Sequence, residues 1–257
     1  MKAFVLCAGM GTRLKPWTDS HPKALVPVRG IPMLERVVGK LRKNGIEDIT
    51  VNVHHFAEQV EEFINRKNWA VNISDERGML LETGGAILAA EEYLRENEPI
   101  LVHNVDILSN ADFSSLLESH IESGADATLL VSDRESSRKL VFDKGGRLRG
   151  WHSNSTGEYR PSGFTPDSLS TEEYAFSGIY IISPNLIEEM KSRGWKGRFS
   201  IIDFLLSTVS DLKYVAHIQP DLRLLDIGKP EALARANRGE GKDSSFLDIA
   251  GAAVAGS

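Results

Sequence analysis

The sequence predicts a doubly wound α/β fold, an open and largely parallel sheet with helices on both faces. Three observations predict it. Short apolar runs alternate with longer amphipathic segments from the start of the chain to about residue 132, the order that builds a parallel sheet through helical crossovers. The runs are continuously apolar, as strands covered on both faces require. Glycines close several of the segments, and crossovers of this kind are right-handed.

The elements follow in order. Ala3 to Cys7 reads as a buried strand, and a long loop leads to a helix from Met33 to Asn44, closed by Gly45. Asp48 to Val53 is β-branched and reads as the second strand. Val60, Phe63 and Ile64 give Ala57 to Lys67 a helical spacing. Val71 to Ser74 is a third strand, and a glycine-containing turn opens a helix over Ala86 to Arg95. Pro99 to His103 is a strand ending at Asn104-Val105-Asp106; Phe113 to Ser123 is a helix stopped by Gly124; Ala127 to Ser132 is a strand. Then the pattern changes. Leu140 to Phe142 and Leu148 to Trp151 flank a hairpin turn at Asp143-Lys144-Gly145-Gly146. Residues 153–171, rich in Ser, Thr, Pro and Gly, read as a long loop or lid. A strand over Tyr174 to Ser183, two helical segments, strands at Tyr214 to Ile218 and Leu222 to Leu225, and a helix from Pro230 complete the prediction. One domain over residues 1–237 is expected, with 1–132 and 133–237 as its halves, and a disordered tail from 238 to 257.

Composition bounds the function. The 257 residues are 41% hydrophobic and 26% charged, ordinary values for a chain with a real core. Thirty basic and thirty-six acidic side chains leave a net charge of −6, which argues against a nucleic-acid partner. Residues 1–45 depart from that average, with nine Lys/Arg against two Asp/Glu. The single cysteine, Cys7, lies in an apolar run and reads as a small buried hydrophobe. The run Ala3 to Ala8 is short for a signal-peptide core, and no stretch approaches the ~20 apolar residues of a membrane span. A cytoplasmic protein with no membrane partner is expected.

The segment Leu6-Cys7-Ala8-Gly9-Met10-Gly11-Thr12-Arg13-Leu14 carries the chemistry. A glycine-rich turn at the carboxyl end of a parallel strand exposes backbone N–H groups to a phosphate or a base. Position 14 is Leu, so the third glycine of a dinucleotide fingerprint is missing, and Leu14-Lys15-Pro16 is not a P-loop. Arg13 stands on the loop itself. Lys23, between Pro22 and Pro27, is the second cation, and the pair suits a polyphosphate. Arg36 and Lys40, like Lys15, Arg29, Arg42 and Lys43, read as solvent-facing charges. Asp106 and Asp226 end apolar runs; each also suits a cap or a turn, and together with a polyphosphate they suit one Mg²⁺.

Gly9-Met10-Gly11-Thr12-Arg13-Leu14 with Pro16, Pro22-Lys23 and Leu25-Val26-Pro27-Val28 resembles the signature of the sugar-1-phosphate nucleotidyltransferases. Leu81 to Ala86, Val102 to Asp106, Phe176 to Tyr180 and Leu225 to Gly228 resemble that family's later motifs, in order. The form Glu82-Thr83-Gly84-Gly85 is most like the N-acetylmuramate 1-phosphate uridylyltransferases and the mannose-1-phosphate guanylyltransferase-like group. The resemblance implies a Rossmann-like mixed sheet of the nucleotide-diphospho-sugar transferase (GT-A-like) architecture. It also implies transfer of NMP from an NTP, UTP in the first place, to a sugar 1-phosphate, with Mg²⁺ as cofactor. Arg13 and Lys23 would be catalytic. Leu6, Ala8, Gly9, Gly11, Thr12, Arg13, Lys23, Thr83, Gly84 and Asn104 would bind nucleotide, Ser177 and Gly178 the sugar, and Asp106 and Asp226 the metal. A GTP-dependent guanylyltransferase and a non-catalytic nucleotide sensor are the alternatives. A glycosyltransferase would want Asp-x-Asp where residues 104–106 read Asn-Val-Asp. Trp151 and His152 stand where many relatives carry a Glu-Lys pair that holds the sugar, and His54 and His55 read as loop histidines.

Overall fold

The computed structural model describes residues 1–95 and 97–239; the tail expected to be disordered lies almost wholly outside them. The chain opens with β1 (Lys2–Leu6), followed by three single turns of 3₁₀ helix, a small hairpin of β2 (Pro27–Val28) and β3 (Ile31–Pro32), and α1 (Met33–Lys43). Next come β4 (Ile49–Val53), α2 (Ala57–Arg66), β5 (Asn72–Asp75), α3 (Glu82–Ala89), α4 (Glu91–Leu94), β6 (Ile100–Asn104), β7 (Ile107–Ser109), α5 (Phe113–Ser123) and β8 (Ala127–Ser132). An antiparallel section holds β9 (Arg138–Asp143), β10 (Leu148–Ser153), β11 (Tyr159–Arg160) and β12 (Thr171–Ile182). The remainder is α6 (Asn185–Ser192), α7 (Ile201–Ser207), β13 (Tyr214–Ile218), β14 (Leu224–Asp226) and α8 (Pro230–Arg238).

Across the sheet the strands run β5, β4, β1, β6, β12, β8, β13. β12 is antiparallel to both β6 and β8, and every other neighbouring pair in this row is parallel. The sheet is therefore doubly wound, as the alternation predicts, and mixed, as the resemblance implies. β9, β10 and β11 extend it from the far half of β12. One apolar core lies under α1, α2, α5 and α8, and a second, on the other face, under α3, α4, α6 and α7. Among the described residues no helix is long and apolar enough to cross a membrane.

Local signals explain the elements. In α1, Met33, Leu34, Val37, Val38 and Leu41 form one buried face, and Gly45, at φ 74°, reverses the chain after it. Asp112 caps α5 by accepting from the N–H groups of Ser114 and Ser115, each at 3.0 Å. Three expectations need correcting. α3 begins at Glu82 rather than Ala86, and its two glycines have a packing reason. A Cβ on Gly84 would stand 2.3 Å from the Phe199 ring, and one on Gly85 would stand 2.1 Å from the Gly197 carbonyl oxygen. The segment read as an unbroken loop contains β11, pairing with β10 at Trp151 and His152. Finally, Arg36 is buried, its guanidinium donating to the Val28 carbonyl oxygen, and Lys40 donates to the Ser109 carbonyl oxygen at 2.9 Å. Each side chain thus ties α1 to a backbone carbonyl, of the β2 hairpin or of β7.

Candidate active site

The crossovers from β1 and into β6 run on opposite faces, so a crevice opens where these neighbours end. Ligands of open α/β sheets bind in such crevices. The glycine-rich loop leaves β1 there and is held from below. Asn52 on β4 accepts through Oδ1 from the N–H groups of Cys7, at 2.6 Å, and Ala8, at 3.2 Å. Its Nδ2 donates to Glu76 Oε1 at 2.7 Å, while Glu76 Oε2 accepts from the Leu81 N–H at 3.0 Å. Burial pushes the Glu76 carboxyl above the usual range, and the Asn52 hydrogen bond opposes that shift. Cys7 is buried beneath the loop; burial, aided by the charge of Asp106, pushes its thiol up, so it stays protonated.

Gly11 adopts φ 62°, and a Cβ there would come within 2.9 Å of both the Lys23 Cβ and the Thr18 Cγ2. Only glycine accommodates that backbone and that approach. The loop thus packs on the segment that carries Lys23, whose Nζ pairs with Asp106 Oδ2; both side chains are 15% exposed. Asp226 arrives from the other end of the chain. β14 pairs antiparallel with β7, which sets Asp226 opposite Ile107, and the Ile227 N–H donates to the Asp106 carbonyl oxygen at 2.9 Å. Arg13 Nη1 lies 3.9 Å from Asp226 Oδ2, with the arginine side chain 56% and the aspartate 26% exposed.

Gly228 marks the convergence. A Cβ built on it would lie 2.7 Å from Asp106 Oδ2, 2.8 Å from Arg13 Nη2 and 3.0 Å from Asp226 Oδ1. Two carboxylates and a guanidinium therefore border one small space that a methyl group would fill. Among the described residues no group of three or more His, Cys, Asp or Glu forms a metal cage. A pair of carboxylates beside a glycine-rich loop instead fits Mg²⁺, which keeps waters and takes phosphate oxygens when these are present.

The crevice has a volume of about 340 Å³ and is bordered by Leu6, Ala8, Gly9, Lys23, Asn104 and Asp106, with Asn52, Leu80, Thr83 and Ser200 on its other walls. A second pocket of about 510 Å³ shares Glu82 and Ser200 with it and is bordered by Leu140, Trp151, Arg160 and Phe176. Gly11, Thr12 and Arg13 lie outside the crevice lining, on the loop at its rim. Gly84 is turned away from it, with its N–H donated to the Phe199 carbonyl oxygen at 2.9 Å, and Thr83 Oγ1 accepts from the Ile201 N–H. Ser177 is buried, and its hydroxyl bonds within β12 to the backbone of Ile179. Gly178, at φ 79°, lies where a Cβ would be 2.6 Å from Asn104 Nδ2, so the two segments meet at the crevice edge. His54 is tied to the Glu76 carbonyl oxygen at 2.7 Å, and the His55 ring lies tilted against Phe56.

Sequence reasoning missed Asn52, Glu76, Leu80 and Ser200. Asn52 left a trace, as the one amide in the run Ile49-Thr50-Val51-Asn52-Val53.

The chain belongs to the nucleotidyl transferase family, whose model matches residues 2–242. It is 29% identical over 238 residues to the N-acetylmuramate alpha-1-phosphate uridylyltransferase of Caulobacter vibrioides, covering 90% of this chain and 93% of the relative. It is 29% identical over 256 residues to the UTP–glucose-1-phosphate uridylyltransferase of Synechocystis, covering 93% of this chain but 63% of that longer protein. The crystal structure of HddC from Yersinia pseudotuberculosis superposes with a TM-score of 0.74 at 23% identity, over 92% of this chain and 98% of HddC. That likeness shows the fold.

Proposed function

We propose that the crevice transfers a nucleoside monophosphate, from UTP in preference to other triphosphates, to a sugar 1-phosphate, releasing pyrophosphate. The convergence of Asp106, Asp226 and Arg13 around Gly228, beside a glycine-rich loop and Lys23, is the observation that carries this reading. Both relatives described above are named for uridylyl transfer.

The nucleophile is a phosphate oxygen of the sugar. A phosphate monoester has its second pKa near ~6, so this oxygen is already anionic and needs no general base. The obstacle is repulsion between two anions brought to bonding distance, and the protein's task is positioning and charge neutralisation. Backbone N–H groups of the loop from Gly9 to Thr12 and the Arg13 guanidinium face the triphosphate, and Arg13 neutralises charge on the departing pyrophosphate. Lys23 holds its charge beside Asp106 at the crevice floor, near the α-phosphate. Asp106 and Asp226 would hold Mg²⁺, which supplies further neutralisation of the phosphates when bound. Leu6, Ala8, Thr83 and Asn104 border the base and ribose; the sugar ring extends toward Gly178 and the second pocket. A cytoplasmic setting supplies the triphosphate.

The test is a pyrophosphate-release panel crossing four NTPs with glucose, mannose, N-acetylglucosamine and N-acetylmuramate 1-phosphates, with Mg²⁺ present. UTP-dependent release with one of these acceptors is expected. A GTP preference would overturn the base assignment, and nucleotide binding without turnover would identify a sensor.

A further inference from the structure

This inference rests on the reading just given and concerns its acceptor side. Arg13 stands on the glycine-rich loop and Lys23 on the segment packed against it, and each already faces a carboxylate. The incoming sugar phosphate carries up to two negative charges and calls for a cation that no carboxylate already claims.

Among the described residues, three guanidinium groups bury an Nε–H that makes no hydrogen bond: Arg42, whose Nε has Glu47 Oε2 at 3.6 Å, Arg134 and Arg147. Leaving a buried donor unmade is costly, so its position matters. Arg42 lies in the last turn of α1, before β4, and Arg147 donates to the Leu212 carbonyl oxygen just ahead of β13. Both are therefore at the amino edge of the sheet, away from the site. Arg134 alone stands at the carboxyl edge. It is two residues past β8, a strand that runs parallel to β6 because each is antiparallel to β12.

There its Nη2 donates to the Phe176 carbonyl oxygen at 2.9 Å, and among the described residues the guanidinium makes no other hydrogen bond or ion pair. Phe176 borders the second pocket and opens the irregularity in β12, where the pairing with β8 shifts between Phe176 and Tyr180. Arg134 is half-buried; burial pushes its pKa down, and the charge of Asp226 opposes that shift. The guanidinium thus stands at the carboxyl edge, beside the second pocket through Phe176 and within electrostatic reach of Asp226, tethered by one N–H, with its Nε–H unpaired.

We propose that Arg134 is a catalytic residue that binds the phosphate of the acceptor sugar and aims it at the α-phosphorus of the triphosphate. An acceptor oxygen forms the new P–O bond with its lone pair as the bond from the α-phosphorus to the α,β-bridging oxygen breaks. Pyrophosphate leaves with that electron pair, and no proton moves. A guanidinium suits this task because its planar donors match phosphate oxygens in pairs.

The test compares wild type with Arg134→Gln and Arg134→Lys. Acceptor kcat/KM is measured with the sugar 1-phosphate that turns over fastest in wild type, and UTP affinity by calorimetry without acceptor. Arg134→Gln is expected to lower acceptor kcat/KM at least a hundredfold while UTP affinity stays within threefold, and Arg134→Lys to recover at least tenfold. Acceptor kcat/KM within threefold of wild type in a folded Arg134→Gln protein would overturn the proposal, as would a parallel loss of UTP affinity. The four panel sugar phosphates are also titrated directly, in the presence of a non-hydrolysable UTP analogue. Binding by wild type without turnover refutes the transferase reading alone, and loss or retention of that binding in Arg134→Gln then decides whether Arg134 holds the sugar phosphate. Binding of none of the four panel sugar phosphates to wild type refutes both.

Discussion

Replacing Asn52 with alanine removes the amide that fixes the glycine-rich loop. The N–H groups of Cys7 and Ala8, which donate to it at 2.6 and 3.2 Å, lose their acceptor, and Glu76 loses a donor at 2.7 Å. Each hydrogen bond is worth about 0.5–1.5 kcal/mol net, and each buried group left unpaired costs about 1–3 kcal/mol. Asn52 borders the crevice, so water replaces part of what is lost. A destabilisation of about 2–4 kcal/mol is therefore expected. Urea unfolding at pH 7 measures that figure, and UTP titration of the folded variant measures the loop, with affinity expected to fall at least tenfold. A variant that unfolds within about 0.5 kcal/mol of wild type, a size ordinary for an exposed site, and binds UTP normally would refute the role assigned to Asn52.

Three further outcomes follow from particular contacts. Gly228→Ala puts a methyl group among Asp106, Arg13 and Asp226 at 2.7–3.0 Å. Side-chain ends give way readily, so stability is expected to hold within about 1 kcal/mol while turnover falls at least tenfold, read by pyrophosphate release. Gly85→Ala meets the Gly197 backbone oxygen at 2.1 Å, which cannot yield, and an unfolding free energy lower by about 1–3 kcal/mol is expected. For Lys40, burial pushes the ammonium from an ordinary 10.5 down to about 7. The native state then binds fewer protons than the unfolded chain between those values, so this residue adds stability as pH rises from 7 toward 10.5. Unfolding of wild type and Lys40→Met at pH 7 and 9.5 is expected to show wild type gaining on the variant at the higher pH.

Local rules reach far into this fold and then stop. The bounds of α5 and β8 were legible to the residue, because a closing Gly124 and a continuous apolar run are local properties. The start of α3 was not, since Gly84 and Gly85 weaken a helix by propensity and are placed there by Phe199 and Gly197, more than a hundred residues on. Arg36 misled for a similar reason, its carbonyl partner at Val28 being visible only once the β2 hairpin folds back. At the site, Arg13 and Lys23 were legible from glycine and proline neighbours. The meeting of Asp106 with Asp226 depends on β14 pairing with β7, and no spacing encodes that pairing. Asn52, Glu76 and Arg134 are placed by contacts between segments that meet only in the fold, which leave no periodic mark.

β12 spans 12 residues and belongs to two neighbourhoods at once. Its end, Ile179 to Ile182, zips against β6, while its beginning, Thr171 to Tyr174, zips against β9. A fragment cut before residue 171 would leave the β6 edge bare, with its N–H and C=O groups open to pairing with other chains. The part of the molecule that meets the triphosphate is thus not a module to be excised and fused to a new acceptor half. Engineering toward other sugars is better aimed at the turns on either side of this shared strand, which can be rewritten without unzipping it.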